Sequence, residues 1–547
     1  MKRFNDSKIM LLVLAFVLAL MFTAGSAYAD FTFGEPVKFG PVAGGEAIDC
    51  FSYDGLVMYF EADRPGGQGA WDLWVLRRAS VEEKWSGAAQ NLGPAVNSPQ
   101  KDEFASISAD GLTLYFTSTR VGEYGGLDIW MTKRQSKNDV WGQAVNMGPP
   151  VCSSANEINP WISADSLELY FSSSRSDGYG YSDIYVTRRA TTNDPWSETE
   201  NLGPVVNGTY NEVWLSLSPD GLLLLFSESE EEPTRPGGYG GHDMWMARRA
   251  SLSVPWQAPV NLGPMVNGPG GDYIPRISAD GRTFYFWSNR GAGHDVWQAP
   301  IIPIVDFNGD GQVDGKEVLA IVEHWGQGTT LCDVGPFAWG DGIVDFEDLI
   351  VLAEYIGKDI VDSTLIAHWD LDETEGSTAN DSANDNNASV MGNPVWRPTG
   401  GKVGGALQFD GIDDEVVTQP VPALAQGPFS ILAWVIGGSP GGVVICEEGG
   451  ADLLSTNPVD GTLMTSSADQ IPLLSQAVVT DWKWHRIGLV WDGKNRILYV
   501  DGQEVARDDY STLTSGGGLT IGSGEVAGTF FSGLIDDVRV YNRTVNP

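Results

Sequence analysis

Along residues 30–302 short apolar runs alternate with tight polar turns at a nearly constant interval. One phrase occurs five times: Ser52-Tyr-Asp54-Gly55 before Tyr59-Phe60, Ser108-Ala-Asp110-Gly111 before Tyr115-Phe116, Ser163-Ala-Asp165-Ser166 before Tyr170-Phe171, Ser218-Pro-Asp220-Gly221 before Leu225-Phe226, and Ser278-Ala-Asp280-Gly281 before Tyr285-Phe286. Its Asp positions lie 56, 55, 55 and 60 residues apart. Asp-Gly between apolar, aromatic-rich runs predicts a hairpin, because the turn needs positive φ and glycine supplies it without a steric penalty. A second phrase, usually after a Gly-rich stretch, predicts a third strand: Asp72-Leu-Trp74, Asp128-Ile-Trp130, Asp183-Ile-Tyr185, Asp243-Met-Trp245 and Asp295-Val-Trp297. A third phrase predicts a fourth: Asn91-Leu-Gly-Pro94, Asn146-Met-Gly-Pro149, Asn201-Leu-Gly-Pro204 and Asn261-Leu-Gly-Pro264. Four strands in about 55 residues make one propeller blade with its loops.

The ends of the repeat decide closure. No Gly-Pro phrase follows Trp297, but Phe39-Gly40-Pro41 precedes the first Asp-Gly turn. The N-terminal segment is therefore expected to supply the missing outer strand of the last blade and close a five-bladed ring. The Ser-x-Asp-Gly…Tyr-Phe pattern resembles the WD40-like, TolB-type (PD40) propeller repeats. The better-known members of that family have six blades, so six is the alternative count.

Two rings of charge follow the repeat. Six residues before each repeat Ser stands an acid: Glu46, Asp102, Glu157, Glu212 and Asp272. Arg64, Arg120, Arg175 and Arg290 follow the turn Asp by ten residues, and Arg235 by fifteen, after an insert around Glu230-Glu231-Glu232. A carboxylate ring could hold a cation or ligand. The competing reading, that each acid pairs with an Arg between blades, is favoured because residues present in every copy usually serve the repeat. Enzyme chemistry needs acids in unlike environments. The residues without counterparts are Asp49, Glu103, Asn159, Trp161 and Arg276, and they form no recognisable acid–base pair in the sequence. His242 and His294 both precede the Asp of the second phrase and read as repeat positions. With no G-x-S-x-G, H-E-x-x-H or phosphate-loop motif, no catalytic residue is assigned.

The pattern changes at about 303–360. Asp306-Phe-Asn308-Gly-Asp310-Gly311-Gln312-Val-Asp314-Gly-Lys-Glu317 places oxygen donors at positions 1, 3, 5, 9 and 12 of an EF-hand loop, with Gly311 at the sharp turn. Asp306, Asn308, Asp310, the Gln312 carbonyl, Asp314 and Glu317 are the candidate Ca2+ ligands. A helix follows, with Val318, Leu319, Val322 and Trp325 as its apolar face. A second loop gives Asp333, Asp341, the Ile343 carbonyl, Asp345 and Asp348, then a helix through Leu349, Leu352 and Ile356; aligned on Gly342, its positions 1 and 3 are Phe337 and Trp339, so either the loop bulges and Asp333 takes position 1 or the site is degenerate. A loop followed by one helix, twice, resembles a dockerin. That resemblance implies a protein partner, although Gly315-Lys316 and Phe346-Glu347 lack the usual Ser/Thr pair. A calcium-set spacer is the alternative.

Residues 361–547 read as strands and turns throughout, as in Trp484–Trp491, Asp492-Gly493, Arg496–Val500 and Asp501-Gly502. The ending Gly533–Arg543, with Leu407–Asp414 before it, resembles laminin-G/concanavalin A-like domains. The resemblance implies a two-sheet jelly roll that binds carbohydrate or protein. Acidic loop residues Asp410, Asp413, Asp414, Asp536 and Asp537 could hold structural calcium or serve turns and ion pairs, as Asp537 would with Arg539. Trp369, Trp434, Trp484 and Trp491 alternate with apolar neighbours and read as core rather than sugar platforms.

Composition narrows the function. The 547 residues carry 72 acids against 33 bases, a formal charge of −39, which excludes a nucleic-acid partner and docking on anionic lipid. Such a charge suits calcium, cationic partners, neutral polymers or simply solubility. Lys2, Arg3 and Lys8, the apolar run Ile9–Phe22 and Ala27-Tyr-Ala29 form a signal-peptide layout. Residues 1–29 are thus expected to be removed from a secreted protein that inserts in no membrane. The domains expected are the signal peptide 1–29, propeller 30–302, dockerin-like pair 303–360 and jelly roll 361–547. The four cysteines give no pairing. The expected function is carbohydrate binding by a mostly β, non-catalytic calcium protein, with a glycoside hydrolase or a dockerin-borne assembly subunit as alternatives.

Overall fold

The computed structural model describes residues 31–547 apart from 43–44, 122–123, 229–234, 292, 329–331, 359–361, 363, 422–423, 425–427, 467–470, 510–516, 525, 527 and 546. The leader and the Glu230–Glu232 insert thus lie outside the described residues. The chain divides into two compact units. No helix among the described residues is long and apolar enough to cross a membrane.

The first unit comprises Phe31–Pro303 and Gly335–Gly342. It is a five-bladed propeller. Blade 1 runs Ala47–Phe51, Val57–Ala62, Asp72–Arg77, Gln90–Asn91 from axis to rim, and blades 2 to 4 repeat that antiparallel order. The innermost strands Ala47–Phe51, Asp102–Ile107, Glu157–Ile162, Glu212–Leu217 and Asp272–Ile277 are neighbours in sequence order, and the fifth also neighbours the first. That closes the ring at five. In each hairpin the Ser hydroxyl donates to the turn Asp (Ser52 Oγ to Asp54 Oδ1, 2.6 Å) and accepts the amide five residues on (Val57 N, 2.9 Å). Positive φ at Gly55, Gly111, Gly221 and Gly281 explains the turn chemistry.

The fifth blade closes through the N-terminus. Val37–Lys38 pairs with Gln298 and Trp297 of the strand Asp295–Pro303, and Phe31–Phe33 pairs with its end. In blades 1 to 3 an Asn from the third phrase binds the Asp of the second: Asn91 Nδ2 to Asp72 Oδ2 and Asn146 Nδ2 to Asp128 Oδ2 at 2.8 Å, and Asn201 Nδ2 to Asp183 Oδ2 at 2.7 Å. In the closing blade Lys38 takes that place, with Nζ 2.7 Å from Asp295 Oδ2. Phe337 and Trp339 stack on each other at 5.0 Å and join the apolar core of the last two blades, where Trp339 Nε1 donates to the turn carboxylate of Asp220 at 2.7 Å. This placement explains two aromatic residues at loop positions that cannot ligate a cation.

The second unit holds Ile304–Val334 and Ile343 onward. Two short helices, α1 (Gly315–Glu323) and α2 (Phe346–Ala353), each start with a capping box: Asp314 with Glu317, and Asp345 with Asp348. The apolar faces differ from the sequence expectation. Ile321 and Leu352 are buried, with Val318 and Leu349 beside them, whereas Leu319, Val322, Trp325 and Ile356 are exposed. Apolar residues surround both helices, so periodicity alone could not choose the inward side. The remainder is a jelly roll of two eight-stranded antiparallel sheets. One is centred on Ser532–Tyr541 and Phe429–Gly437, the other on Gly518–Ile521 and Val443–Glu447, and their inner faces share one apolar core that includes Trp369. All four cysteines are buried.

Candidate functional site

Each ring acid stands at the head of an inner strand and binds the Arg of its own blade: Glu46–Arg64, Asp102–Arg120, Glu157–Arg175 (3.3 Å), Glu212–Arg235 (2.9 Å) and Asp272–Arg290 (2.9 Å). The pairing is within blades, not between them. The link to the preceding blade is made by the same Arg through a carbonyl, at Val96, Val151, Val206 and Val266. The acids also receive the amides of the incoming connection, such as Ser153 N on Glu157 (2.8 Å) and Gly208 N on Glu212 (2.9 Å). Burial raises Glu212 to about 7. This is a clamp on the blade-to-blade crossover. Glu157→Gln is expected to destabilise the propeller by ~1–3 kcal/mol, read as a lower melting temperature, because Arg175 keeps a buried charge without its partner.

The axis itself breaks the symmetry. Every inner strand carries a bulge two to four residues after its acid, with positive φ at Phe104, Asn159, Trp214 and Ile274. Bulges re-aim side chains. Ala47, Phe104, Trp214, Tyr273, Ile274 and Trp287, drawn from four blades, meet in one cluster, which inner strands of opposite blades can do only at the axis. His242 and His294 lie against its rings, 4.3 Å from Tyr273 and 4.4 Å from Trp287.

Beside that cluster lie three carboxylates and one guanidinium. In blade 1 the bulge residue is Asp49, fully buried, where the other blades have Ala105, Pro160, Leu215 and Pro275. Glu61, 6% exposed, accepts the Phe104 amide at 3.0 Å, as Thr117 Oγ1 accepts the Asn159 amide at 2.9 Å one blade on. Arg276, 1% exposed, donates to the carbonyls of Asp49, Pro275 (2.9 Å) and Leu215 (3.2 Å), with its guanidinium 5.2 Å over the Trp161 ring. Among the described residues its Nη2 meets no acceptor. Glu103 is more open and pairs with Lys101 at 3.4 Å.

Burial raises Asp49 to about 7, against the pull of Arg276. Burial and the charges of Asp49 and Glu103 push Glu61 well above its ordinary value, and burial raises Glu103 too. Burial lowers Arg276 to about 10. The cluster therefore holds three carboxyls raised by burial in unlike surroundings, which the repeated acid–Arg pairs of the ring do not. Of the residues singled out in sequence, Asp49, Glu103, Trp161 and Arg276 are brought together. Glu61 was missed. Its signal was an acid in a strand column that otherwise reads Thr117, Ser172, Ser227 and Trp287.

In the second unit the loop 306–317 turns its side-chain oxygens onto its own amides. Asp306 accepts from Asp310 N (3.1 Å) and Gly311 N (2.8 Å), Asn308 from Asp310 N (2.8 Å), and Glu317 from Asp314 N (2.7 Å) and Asn308 Nδ2 (2.6 Å). Asp306 and Glu317 are buried; burial raises both, Glu317 to about 7. Lys316 reaches Asp310. Jelly-roll residues clamp the loop backbone: Arg486 on Asn308 O (2.9 Å) and Gly309 O, Tyr541 on Gly309 O (3.2 Å), and Arg543 on Asp306 O (3.3 Å). In the second loop Asp333 and Asp348 are buried, and Asp348 accepts from Val334 N and Asp345 N, both at 2.6 Å. Asp341 and Ile343 are exposed, and Asp341 belongs to the propeller unit.

The jelly roll buries Trp369 and half-buries Trp434, Trp484 and Trp491. Trp482, not singled out in sequence, is 63% exposed. It stands at positive φ (62°), and its indole lies on Gly438, where a Cβ would come within 2.0 Å of it. Asp410, Asp413 and Asp414 bring carboxylate oxygens within 4.8 Å of one another, with Asp414 also holding the amides of Asp410 and Asn393 at 2.8 Å. Asp537 pairs with Arg539 at 2.9 Å, and Asp536 holds the amides of Lys402 (2.6 Å) and Val403 (2.8 Å) while burial raises it to about 7.

Among curated proteins none matches the chain. Among solved structures, a Trypanosoma rangeli sialidase mutant displaying trans-sialidase activity overlaps 95% of this chain and 96% of its own, at 14% identity and a TM-score of 0.41. Domain 4 of AbnA, a GH43 extracellular arabinanase from Geobacillus stearothermophilus in complex with arabinotriose, overlaps 32% of this chain and 92% of its own, at 19% identity and 0.27. TolB from Acinetobacter baumannii overlaps 53% of this chain and 68% of its own, at 11% identity and 0.31. Residues 410–547 match the family model described as the concanavalin A-like lectin/glucanases superfamily.

Proposed function

We propose that this is a secreted, calcium-binding modular protein that holds polysaccharide or a surface glycoconjugate through its jelly roll, with the propeller as an interaction platform. The observation that carries this reading is Trp482: an indole backed by Gly438 with its remaining surface open, in a domain whose family includes lectins. Sugars stack their C–H faces on such rings while carboxylates nearby accept their hydroxyls. Trp482→Ala in the full chain is expected to weaken binding on a glycan array at least tenfold, about 1.4 kcal/mol. Glycan binding equal to the wild type in that variant sinks the assignment.

Calcium belongs to the first loop. Asp306, Asn308, Asp310, the Gln312 carbonyl, Asp314 and Glu317 fit a hard cation: an oxygen-only donor set, with two of its carboxylates buried. Bound there, Ca2+ supplies the positive charge that those carboxylates lack. The expected result is a calcium-dependent rise in melting temperature, about 2.7 kcal/mol at a hundredfold excess over Kd, that disappears in Asp310→Ala/Glu317→Ala. An undiminished calcium response in the double variant refutes the loop. Exposed Leu319, Val322, Trp325, Phe346 and Ile350 give the dockerin-like pair an apolar surface for a protein partner.

A second reading, glycoside hydrolysis in the propeller, is favoured by one observation: the unlike carboxyls Asp49, Glu61 and Glu103 beside partly exposed aromatic rings on the axis. Sugar release from polysaccharide that is lost in Glu103→Gln supports it.

A further inference from the structure

We propose that His368, Asp370 and Asp537 form a binding site for a first-row divalent ion of the Zn2+ type, separate from the calcium loop. His368 lies on the strand Leu365–Trp369, and Asp537 on Ser532–Tyr541, which pairs with it. Nε2 of His368 is 2.7 Å from Asp370 Oδ1 and 2.8 Å from Asp537 Oδ1, and all three ligand atoms fall within 4.8 Å of one another. One ring nitrogen thus faces two carboxylate oxygens, and it has at most one hydrogen to offer them. A single cation at that point satisfies all three.

The surroundings set the ring for this role. Ser382 Oγ lies 3.0 Å from His368 Nδ1 and 3.2 Å from the His368 carbonyl. With its hydrogen on the carbonyl, the hydroxyl accepts Nδ1–H and leaves the Nε2 lone pair turned toward the carboxylates, the tautomer of a ligating histidine. Arg539 Nε donates to Asp537 Oδ1 at 2.9 Å, an outer contact of the kind that fixes ligating carboxylates. Asp537 is buried, whereas the Asp370 side chain is 41% exposed, so an ion can enter from that side and keep a water as fourth ligand. The imidazole selects Zn2+ over Ca2+, which takes oxygen ligands.

The test is titration of the chelator-treated full chain with Zn2+ in the presence of saturating Ca2+, followed by a zinc-competing dye, with Co2+ substitution read by its visible absorption. The expected result is one Zn2+ per chain that Ca2+ does not displace, and Co2+ bands of a nitrogen–oxygen site. His368→Gln should abolish this binding, and Asp370→Asn, at an exposed position that leaves the fold intact, should weaken it at least tenfold. If wild type takes no more Zn2+ than His368→Gln, or if Asp370→Asn binds as wild type does, a proton on His368 stands where the ion was assigned and the proposal is overturned.

Discussion

A chain lacking residues 30–44 is expected to lose a folded propeller. The deletion removes Phe31–Phe33 and Val37–Lys38, the strands that complete the closing blade, and it removes the buried side chains of Phe33, Phe39 and Val42. Each such side chain contributes roughly 1.5–3 kcal/mol, so together they approach the whole stability of a typical domain, about 5–15 kcal/mol. The strand Asp295–Pro303 would also be left as an unpaired edge, a template for aggregation. Melting of the truncated chain should show the propeller transition lost or the protein aggregated. A gentler variant isolates the ion pair. Lys38→Asn should be tolerated, since Asn fills that place in the other four blades, whereas Lys38→Glu faces Asp295 with a like charge and should lower the melting temperature. A stable truncation would place closure elsewhere.

The ring was legible because its signals are local. Asp-Gly turns, Asp-x-Trp strands and Asn-Leu-Gly-Pro exits each specify geometry within a few residues, and the displaced Phe39-Gly-Pro41 phrase announced the closing strand. The jelly roll was legible in the same way. What escaped depends on neighbours distant in sequence. Pairing of Glu157 with Arg175 was read from matched copies, but only the backbone path shows that the pair lies within a blade. Asp49 and Arg276 are 227 residues apart and meet only because blade 5 adjoins blade 1. Glu61 sat in a strand that otherwise matched the repeat, so it passed as filler. His368 and Asp537 are 169 residues apart and meet through strand pairing. Phe337 and Trp339 read as a defective calcium loop, and their partners, Phe31 and Asp220, lie in the propeller.

The axial acids should make the propeller's stability depend on pH in a direction opposite to that of ordinary surface carboxylates. Asp49 is held at about 7 in the folded chain, against 3.8 as its ordinary value. Between those values the folded chain keeps a proton that the unfolded chain has released. Its favourable contribution is complete below pH 3.8 and declines as pH rises through the window, and above about 7 the propeller carries a buried charge. The full shift corresponds to roughly 4 kcal/mol, an upper bound because Glu61 can take up part of the change. Asp49→Asn keeps the shape and removes the charge. Its melting temperature should match wild type near pH 4 and exceed it increasingly toward pH 8. Parallel curves for the two proteins would mean that Asp49 does not bear this strain. Asp49 is a buried acid where the four other blades carry Ala105, Pro160, Leu215 and Pro275, so it lowers stability without serving the repeat, as a group used for chemistry does. Sugar release measured on the same variant then separates the two readings of the propeller: loss of release together with gain of stability identifies the axis as a catalytic site, and unchanged glycan binding with no release in either protein leaves it a platform.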